Sequence, residues 1–285
     1  MLEVGNIPMK NDLTKATFII PVRIESQDRM RNVITSTIFL LQNFDTNIII
    51  KEVDDSSVYE KFVDPQIREC LGESYKSVKH FFQYSTEPLF HRQRILNEMV
   101  MASKTEIVVN YDCDVILPID SYLQSYNSIL NGEYDVVYPY GQGMYQRQVS
   151  PDDDVVSEFL GDFDFDILDK NSKEHTSDYG WAQFFRRQVY IDGGLENENF
   201  RAYAPEDLER FYRFQTLGYN VGRVNNTVYH LEHARGENSW FNNPHMENNT
   251  QEWEKIKVMS KEELIEYYSG QEYLKKYDVI IQPHR

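Results

Sequence analysis

The sequence predicts an α/β protein in which helices alternate with the strands of a central sheet. Two short, continuous apolar runs, TFIIPV at 17–22 and IIIKEV at 48–53, are typical of strands that are buried on both faces. The segment between them, 28–43, carries apolar residues at helical spacing. A strand, a helix and a second strand in this order predict a parallel pair. The chain has 285 residues, enough for one large domain or two small ones.

The alternation of helices and strands continues along the chain. A helix is predicted from about Arg92 to Ser103, followed by an apolar strand, EIVVNYD, at 106–112 and a further strand, YDVVYP, at 134–139. Acidic residues recur where these strands end, and in open α/β sheets the ligand cleft lies beyond the carboxyl ends of the strands. We therefore expect one cleft to be shared by Asp54, Asp55, Asp112 and Asp114.

The second half of the chain is less regular. Residues 141–180 are rich in Gly, Asp and Ser without a clear period, and we expect long loops over the cleft there. Order returns at 181–190. Pro205 predicts the start of a helix that stops before Gly218, and a capping box, SKEE, predicts a last helix over 260–276.

The charge balance argues against several classes of partner. The chain carries 29 Lys and Arg against 46 Asp and Glu, a formal net charge of −17. Binding to nucleic acid or to an anionic membrane surface needs clustered basic residues, so we expect neither, and peripheral membrane association of another kind stays open. No apolar run is long enough to span a bilayer, and the first residues lack the apolar core of a signal peptide. We therefore expect a soluble, cytoplasmic protein.

A metal ion in this chain would need oxygen and imidazole ligands. Two cysteines, Cys70 and Cys113, are too few for a cysteine-based zinc site. Asp112-Cys113-Asp114 ends an apolar strand and can place two carboxylates on one divalent ion. The same acidic spacing recurs within 152–166, and a solvated acidic turn is the simpler interpretation of such a triplet alone. Only the first triplet follows a buried strand.

A histidine pair follows later in the chain. His230 and His233, three positions apart, can share a face and bind one metal ion, although such a pair is more often on the surface or satisfied within a core. Together with the carboxylates of the earlier triplet, these imidazoles suit Mn²⁺, which accepts both ligand types.

Two further segments can carry chemistry. Glu206 and Asp207 follow Pro205 at a helix start, where acids commonly complement the helix dipole, and a carboxylate fixed there could also act as a general base. Arg92 and Arg94 lie just before the acidic strand. They are either solvated at a helix start or close to a diphosphate, which the forked donors of arginine suit.

The order of these segments resembles that of the GT-A-fold glycosyltransferases, most closely the β-1,4-galactosyltransferase-like group and related bacterial polysaccharide glycosyltransferases. The resemblance spans about residues 17–240. The matching segments are Pro21-Val22-Arg23, Phe90–Asn97, Asp112–Asp114, Gly180–Arg187, Ile191–Gly194, Tyr203, Pro205-Glu206-Asp207 and His233-Ala234-Arg235. The chain departs from the family pattern at Gly194, which replaces an aromatic residue, at Pro205, which replaces a glycine, and at His230, where the animal enzymes carry a methionine.

The resemblance implies a GT-A (Rossmann-like) α/β fold, with a mixed, mainly parallel central sheet flanked by helices and long loops over the cleft. One glycosyltransferase domain would span 1–255. We expect a donor-binding half at about 15–140, an acceptor and catalytic half at about 141–255, and a C-terminal helical extension over 256–285. The donor-binding residues would be Pro21, Arg23, Asp54, Arg92, Asp112, Cys113 and Asp114. Asp114 and His233 would bind the metal ion, with His230 and Asp112 as further candidates; the ion would be Mn²⁺, with Mg²⁺ as the alternative.

The implied activity is the metal-dependent, inverting transfer of a hexose of the galactose, N-acetylgalactosamine or glucose class from a UDP-sugar to a hydroxyl of a glycan acceptor, as in polysaccharide biosynthesis. Asp207 would be the catalytic base, and Glu206, Trp181 and Tyr203 would bind the acceptor. One alternative is a non-catalytic module that binds a nucleotide sugar or a glycan. Another is a phage-type transferase that glycosylates DNA bases, which the charge of −17 disfavours. The sequence leaves the oligomeric state open.

Overall fold

A computed structural model describes residues 10–72, 75, 78–177, 179–236 and 243–284. The strands are β1 (Asn11–Val22), β2 (Phe44–Asp54), β3 (Val78–Tyr84), β4 (Ile107–Tyr111), β5 (Val115–Ile116), β6 (Val136–Tyr138), β7 (Gln146–Val149), β8 (Ser172–Glu174), β9 (Ala182–Arg186), β10 (Val221–Arg223) and β11 (Val228–Leu231). The helices are α1 (Gln27–Asn43), α2 (Asp64–Leu71), α3 (Arg92–Ala102), α4 (Ile119–Leu130), α5 (Asp153–Asp162), α6 (Phe165–Lys170), α7 (Arg187–Asp192), α8 (Glu206–Thr216), α9 (Met246–Ile256), α10 (Lys261–Ser269) and α11 (Glu272–Lys276).

Seven strands form the central sheet in the order β10-β6-β9-β4-β1-β2-β3. β1 lies parallel to both β2 and β4, and β3 and β10 are also parallel to their neighbours, whereas β9 runs antiparallel between β4 and β6. The buried apolar run of β1 pairs Ile19 with Ile49 on one side and with Asn110 on the other. The predicted mixed, mainly parallel α/β sheet is confirmed.

A smaller sheet, in the order β5-β11-β7-β8, brings distant parts of the chain together. In it, His230 of β11 pairs with Val115 of the antiparallel strand β5 and with Gln148 of the parallel strand β7. Because Val115 directly follows Asp114, this register places the later histidine segment beside the acidic end of β4.

The prediction of loops throughout 141–180 is wrong, because this stretch holds β7, α5, α6 and β8. The aspartates act as helix caps: Asp152 accepts a hydrogen bond from the backbone N–H of Asp154, and Asp164 accepts one from that of Asp166. The aromatic rings of this stretch pack on Phe39 of α1. Those rings belong to Phe159, Phe163 and Phe165. Helices of six and ten residues show little periodicity in the sequence, and their packing partner lies over a hundred positions away.

The two predicted helix starts in the C-terminal half need a smaller correction. Pro205 is the N-cap of α8 and not its first residue, so Asp207 occupies the second helical position. The capping box at Ser260 forms as predicted, but the helix over 260–276 is two helices, α10 and α11, separated at Gly270-Gln271. Tyr268 of α10 donates a hydrogen bond to Glu209 of α8, which fastens this segment to the helix that carries Asp207.

Several elements have no counterpart in the sequence prediction: β3, the turn of π-helix at Tyr59–Val63 with the helix α2 that follows it, and the helices α4 and α9. Within the described ranges, no helix is long and apolar enough to cross a membrane.

Candidate active site

A cleft of about 550 Å³ lies where β1 and β4 end, between the central sheet and the smaller sheet. Most of the residues predicted from the sequence line it: Pro21, Arg92, Asp112, Cys113, Asp114, Trp181, Tyr203, Glu206, Asp207, His230 and His233. Two predicted donor-binding residues, Arg23 and Asp54, do not line this cleft. The smaller sheet and α8 thus bring the earlier and later motifs to one place.

Three buried side chains form a cluster that could hold a metal ion. One ligand atom from each of Asp114, His230 and His233 lies within 4.8 Å of the other two. His233 Nε2 is 3.1 Å from Asp114 Oδ2, and His230 Nε2 is 3.6 Å from Asp114 Oδ1. Asp112 is not among the residues of this cluster, and its Oδ1 accepts a hydrogen bond of 2.6 Å from Arg92 Nη2. Burial raises the pKa of the Cys113 thiol well above its usual value, which keeps this side chain neutral.

Neighbouring groups orient both imidazoles towards Asp114. His233 Nδ1 contacts the backbone carbonyl of Ala234 at 2.8 Å, which leaves Nε2 for the cluster. His230 Nδ1 lies 2.8 Å from Glu232 Oε1, with the same result for its Nε2. Carbonyls and carboxylates on the second nitrogen of a histidine commonly fix its orientation for metal binding.

Helix α1 holds the backbone of the cluster in place through polar side chains. Asn32 Nδ2 donates to the carbonyl of Leu231 at 2.8 Å, and Ser36 Oγ donates to the carbonyl of Cys113 at 2.9 Å. Asp28 accepts a hydrogen bond of 3.1 Å from the backbone N–H of Ala234. The helix therefore ties the acidic triplet to the histidine segment, and these polar residues are the reason α1 is not a purely apolar core helix.

The charges within the cluster stabilise one another. Burial of Asp114 favours its neutral form, but the facing imidazoles of His230 and His233 outweigh burial and hold the pKa of this carboxyl well below its usual range. Burial lowers the pKa of His230, yet Asp114 and Glu232 outweigh it, and the net pKa of this imidazole is raised. A divalent ion bound by these groups would compete with protons for His230.

Two carboxylates from the start of α8 face the same cleft. Asp207 Oδ1 accepts a hydrogen bond of 2.8 Å from Nη2 of the buried Arg210, which also binds both carboxylate oxygens of Glu196 at 2.7 and 3.0 Å. The other oxygen of Asp207, Oδ2, lies on the side of Gly180, where an added Cβ would be 3.1 Å away. A side chain at Gly180 would therefore crowd Oδ2 of Asp207.

Glu206 differs from its neighbour in its surroundings. Its side chain is buried, and its Oε2 has no hydrogen-bond partner among the described residues. Burial and the charge of Asp207 raise the pKa of this carboxyl well above its usual value. A buried polar atom without a partner in a cleft is an unused position for a ligand hydroxyl.

A chain of hydrogen bonds joins the carboxylate at the end of β4 to the carboxylate of α8. Arg92 Nη2 donates to Asp112 and, at 3.1 Å, to Asn110 Oδ1. Asn110 Nδ2 donates to Gln183 Oε1 at 2.9 Å, and this oxygen also accepts from Arg210 Nη1 at 3.1 Å. Since Arg210 in turn holds Asp207, the network connects the two halves of the cleft.

Aromatic side chains form one wall. The ring of Trp181 stacks on the ring of His230, with centroids 5.9 Å apart. It also packs at a tilt against the ring of Tyr140, with centroids 5.6 Å apart. The backbone carbonyl of Trp181 accepts a hydrogen bond of 2.8 Å from the N–H of Asp112. Tyr203 is 43% exposed in the cleft. Flat rings of this kind suit the faces of sugar rings.

The remaining predicted residues are close to the site without lining it. Arg23 donates from Nε to the carbonyl of Val53 at 3.0 Å and from Nη1 to that of Pro88 at 2.8 Å, and it lies over the ring of Phe90, which lines the cleft. Its Nη2 is buried without a hydrogen-bond partner in the described part of the chain. Asp54 accepts from the N–H of Asp55 at 2.8 Å, at the end of β2.

Sequence reasoning missed part of the cleft lining: Arg29, Gln148, His175, Ser177 and Glu232. Gln148, His175 and Ser177 belong to the stretch interpreted as loops. Glu232 lies between the two histidines, and an acid at that position was a usable signal for a group that orients an imidazole. Arg29 lies in the first turn of α1, six residues after Arg23.

The chain matches no protein-family model and no curated protein. Among solved structures, the mannosyltransferase PcManGT from Pyrobaculum calidifontis, in complex with GDP-Man and Mn²⁺, matches 81% of this chain with a TM-score of 0.50 and 13% sequence identity. This chain covers 59% of the length of that protein. The catalytic domain of Drosophila β1,4-galactosyltransferase 7, in complex with xylobiose, matches 84% of this chain and 79% of its own length, with a TM-score of 0.43 and 14% identity.

At these identities the similarity concerns the fold. The seven-stranded sheet, with β9 antiparallel among parallel neighbours, agrees with the fold that the order of motifs implied. The chain has a GT-A-like glycosyltransferase fold.

Proposed function

We propose that the chain is a metal-dependent, inverting glycosyltransferase that moves a hexose from a UDP-sugar to a hydroxyl of a glycan acceptor. One observation carries the proposal: the buried cluster of Asp114, His230 and His233 shares a single cleft with the carboxylates of Glu206 and Asp207. A metal cluster suits a diphosphate leaving group, and a carboxylate on a rigid helix start suits the activation of a hydroxyl.

The residues of the cluster fit a divalent ion such as Mn²⁺. One carboxylate and two imidazoles are ligands that this ion accepts, and both imidazoles already direct Nε2 to Asp114. When bound, the ion supplies positive charge for the phosphate oxygens of the departing nucleotide. Asp112 would act beside this site, held by Arg92, and we assign it to the donor.

The acceptor would lie against α8 and the aromatic wall. Arg210 holds Oδ1 of Asp207, so Oδ2 is the oxygen that takes the proton of the acceptor hydroxyl. The unpartnered Oε2 of Glu206 binds a second hydroxyl of the acceptor, and Trp181 and Tyr203 contact its ring. A base that acts directly on the acceptor corresponds to a single displacement, which inverts the anomeric configuration.

The cleft lining constrains the nucleobase of the donor less than it constrains the rest of the donor. The motif order implies UDP, with Asp54 at the base, and Asp54 ends β2 outside the cleft lining. We retain a UDP-sugar as the donor because Arg23 binds the carbonyl of Val53, the residue before Asp54, and lies over the ring of Phe90, which lines the cleft. A base bound beyond the cleft would extend in this direction.

A transfer assay with a panel of nucleotide sugars tests the proposal. The purified chain is incubated with UDP- and GDP-hexoses, Mn²⁺ and mixed glycan acceptors, with and without EDTA, and the product is analysed by NMR. We expect Mn²⁺-dependent release of UDP and a product of inverted configuration. Asp166→Asn, which alters an exposed acid in the first turn of α6, is the matched control for Asp207→Asn. Metal-dependent binding of a UDP-sugar without hydrolysis or transfer would instead support a non-catalytic binding module.

A further inference from the structure

Three arginines line the cleft, and their charges are compensated to different degrees. Arg92 Nη2 is 2.6 Å from Asp112 Oδ1, and Arg235 Nη2 is 3.0 Å from Glu232 Oε1. In the described part of the chain, Arg29 has only a long ion pair, with Glu25. Its Nε is buried without a hydrogen bond to any described residue, and Glu25 Oε2, at 3.9 Å, is too far away for one. Within the described part of the chain, Arg29 is therefore the cleft arginine most available to a ligand.

The position of Arg29 is fixed relative to the metal cluster. Its backbone N–H donates to the N-cap Ser26 at 3.2 Å, so it lies in the ordered first turn of α1. On either side of it in the same helix, Asp28 binds the N–H of Ala234 and Asn32 binds the carbonyl of Leu231. These bonds fasten the turn that carries Arg29 to the segment that carries both histidines.

A phosphate group is the ligand chemistry that matches this arrangement. A guanidinium offers several N–H donors in a planar fork, which suits the oxygens of a phosphate, and a buried donor without a partner is costly until a ligand satisfies it. Two further carboxylates, those of Glu232 and Asp112, line the cleft beside the cluster. An anion therefore needs both a metal ion and a cation without a close carboxylate partner to bind there.

We propose that Arg29 is a phosphate-binding residue of the donor site and that, with the metal cluster, it makes the cleft selective for a diphosphate over a monophosphate. The inference deepens the proposed function and rests on it for the identity of the ligand. Arg29 lies outside the segments that resemble the glycosyltransferase motifs, so it is an additional contact of this chain.

Calorimetric titrations of the full chain test the assignment. The ligands are Mn²⁺ alone and, in the presence of Mn²⁺, inorganic pyrophosphate, UDP, UMP, GDP and GMP. The variants are Arg29→Met, which keeps an unbranched stem and removes the guanidinium, and Arg29→Lys, which keeps the charge. Arg68→Gln is the matched control, because Arg68 is exposed on α2, pairs with Asp64 and does not line the cleft.

We expect Arg29→Met to weaken binding of pyrophosphate and of the preferred nucleoside diphosphate about 10- to 100-fold, the range typical of a charged hydrogen bond, and to bring diphosphate and monophosphate affinities closer together. Arg29→Lys should lie between the parent and Arg29→Met. The affinity for Mn²⁺ alone should not fall, because Arg29 is a cation near Asp114 and not a ligand of the metal ion. Arg68→Gln should behave like the parent.

Parental affinity of Arg29→Met for pyrophosphate and diphosphates overturns the assignment. So does an equal loss of affinity for Mn²⁺ alone, because the substitution would then act on the metal cluster and not on a phosphate. If the parent binds pyrophosphate through Arg29 but binds no nucleotide, the phosphate site stands and the proposed donor falls. The two failures are therefore distinguishable.

Discussion

At the scale of single residues, the two oxygens of Asp207 have different surroundings. Oδ1 is held by the buried Arg210, whose charge is also shared with Glu196, and Oδ2 lies beside Gly180 in the cleft. The arginine thus fixes the orientation of the carboxylate and leaves one oxygen for a substrate. Gly180 is equally important, because a side chain at position 180 would come close to Oδ2 of Asp207.

Asp207→Asn should retain donor binding and lose transfer. The amide keeps the shape of the side chain but cannot accept the proton of the acceptor, so we expect transfer to fall by about 10² or more, the scale of general-base catalysis. Initial rates of UDP release with acceptor, measured beside UDP affinity, check this. Near-parental transfer, or a product of retained configuration, would remove Asp207 from the role of base.

Glu206 should make the stability of the fold depend on pH. Burial and the charge of Asp207 raise the pKa of this carboxyl in the folded state above the ordinary value of 4.5, so the folded protein binds its proton more tightly than the unfolded chain does. Stability from this residue is therefore present at low pH and lost as the pH rises from 4.5 towards the raised pKa.

The measurement is urea unfolding of the parent and of Glu206→Gln at acidic and at neutral pH. The glutamine carries no charge at either pH, so the variant should gain free energy of unfolding relative to the parent at neutral pH and gain less under acidic conditions. A difference between the two proteins that is independent of pH would show that Glu206 titrates as an ordinary carboxylate.

At the scale of elements, α1 packs on the sheet and also positions the segments that supply the metal ligands. Its buried Asn32 and Ser36 bind the carbonyls of Leu231 and Cys113, which belong to the two segments that supply the metal ligands. The strands β5 and β11 add the register that sets His230 beside Asp114. The cluster is thus positioned by one helix and one small sheet.

Asn32→Ala should weaken both the fold and the metal site. The substitution leaves the buried carbonyl of Leu231 without its donor, which we expect to cost about 1–3 kcal/mol of unfolding free energy, and it loosens the histidine segment. Asn43→Ala at the other end of α1, where the amide binds the carbonyl of Phe39, is the control. Mn²⁺ affinity that falls equally in both variants would contradict a specific role of Asn32.

The elements differ in how far the sequence alone predicts them. The strands β1, β2 and β4 are continuous apolar runs because both of their faces are buried, and such runs are visible locally. The helices α5 and α6 are short, and the contacts that stabilise them are rings packed on the distant Phe39. A local pattern cannot report such a contact.

The same distinction applies to the candidate site. Asp114, His230 and His233 stood out in the sequence because each belongs to a short pattern with metal-ligand spacing. Residues such as His175 and Gln148 reach the cleft only through the pairing of β7 with β8 and β11, and nothing in their own segments indicates it. Arg29 was not predicted for a different reason. A charged residue in the first turn of a helix is typical of an ordinary solvent-exposed position.

At the scale of the whole molecule, the excess of acidic over basic residues makes the metal cluster important for binding an anion. A chain with a net charge of −17 and several carboxylates in its cleft repels anions, so a nucleoside diphosphate can bind only where positive charge is concentrated. In the cleft that charge comes from arginines, most of which are already paired with carboxylates, and from a bound divalent ion. We therefore expect nucleotide binding to be strongly metal-dependent.

The most direct test of this account is the affinity for UDP, measured with and without Mn²⁺, in the parent, in Asp114→Asn and in His233→Ala. We predict that the parent binds UDP tightly only with Mn²⁺, that both variants lose most of this metal-dependent affinity, and that their circular dichroism stays parental. Asp114→Asn that binds Mn²⁺ and UDP like the parent would contradict the assignment of the metal cluster, and with it the proposed activity.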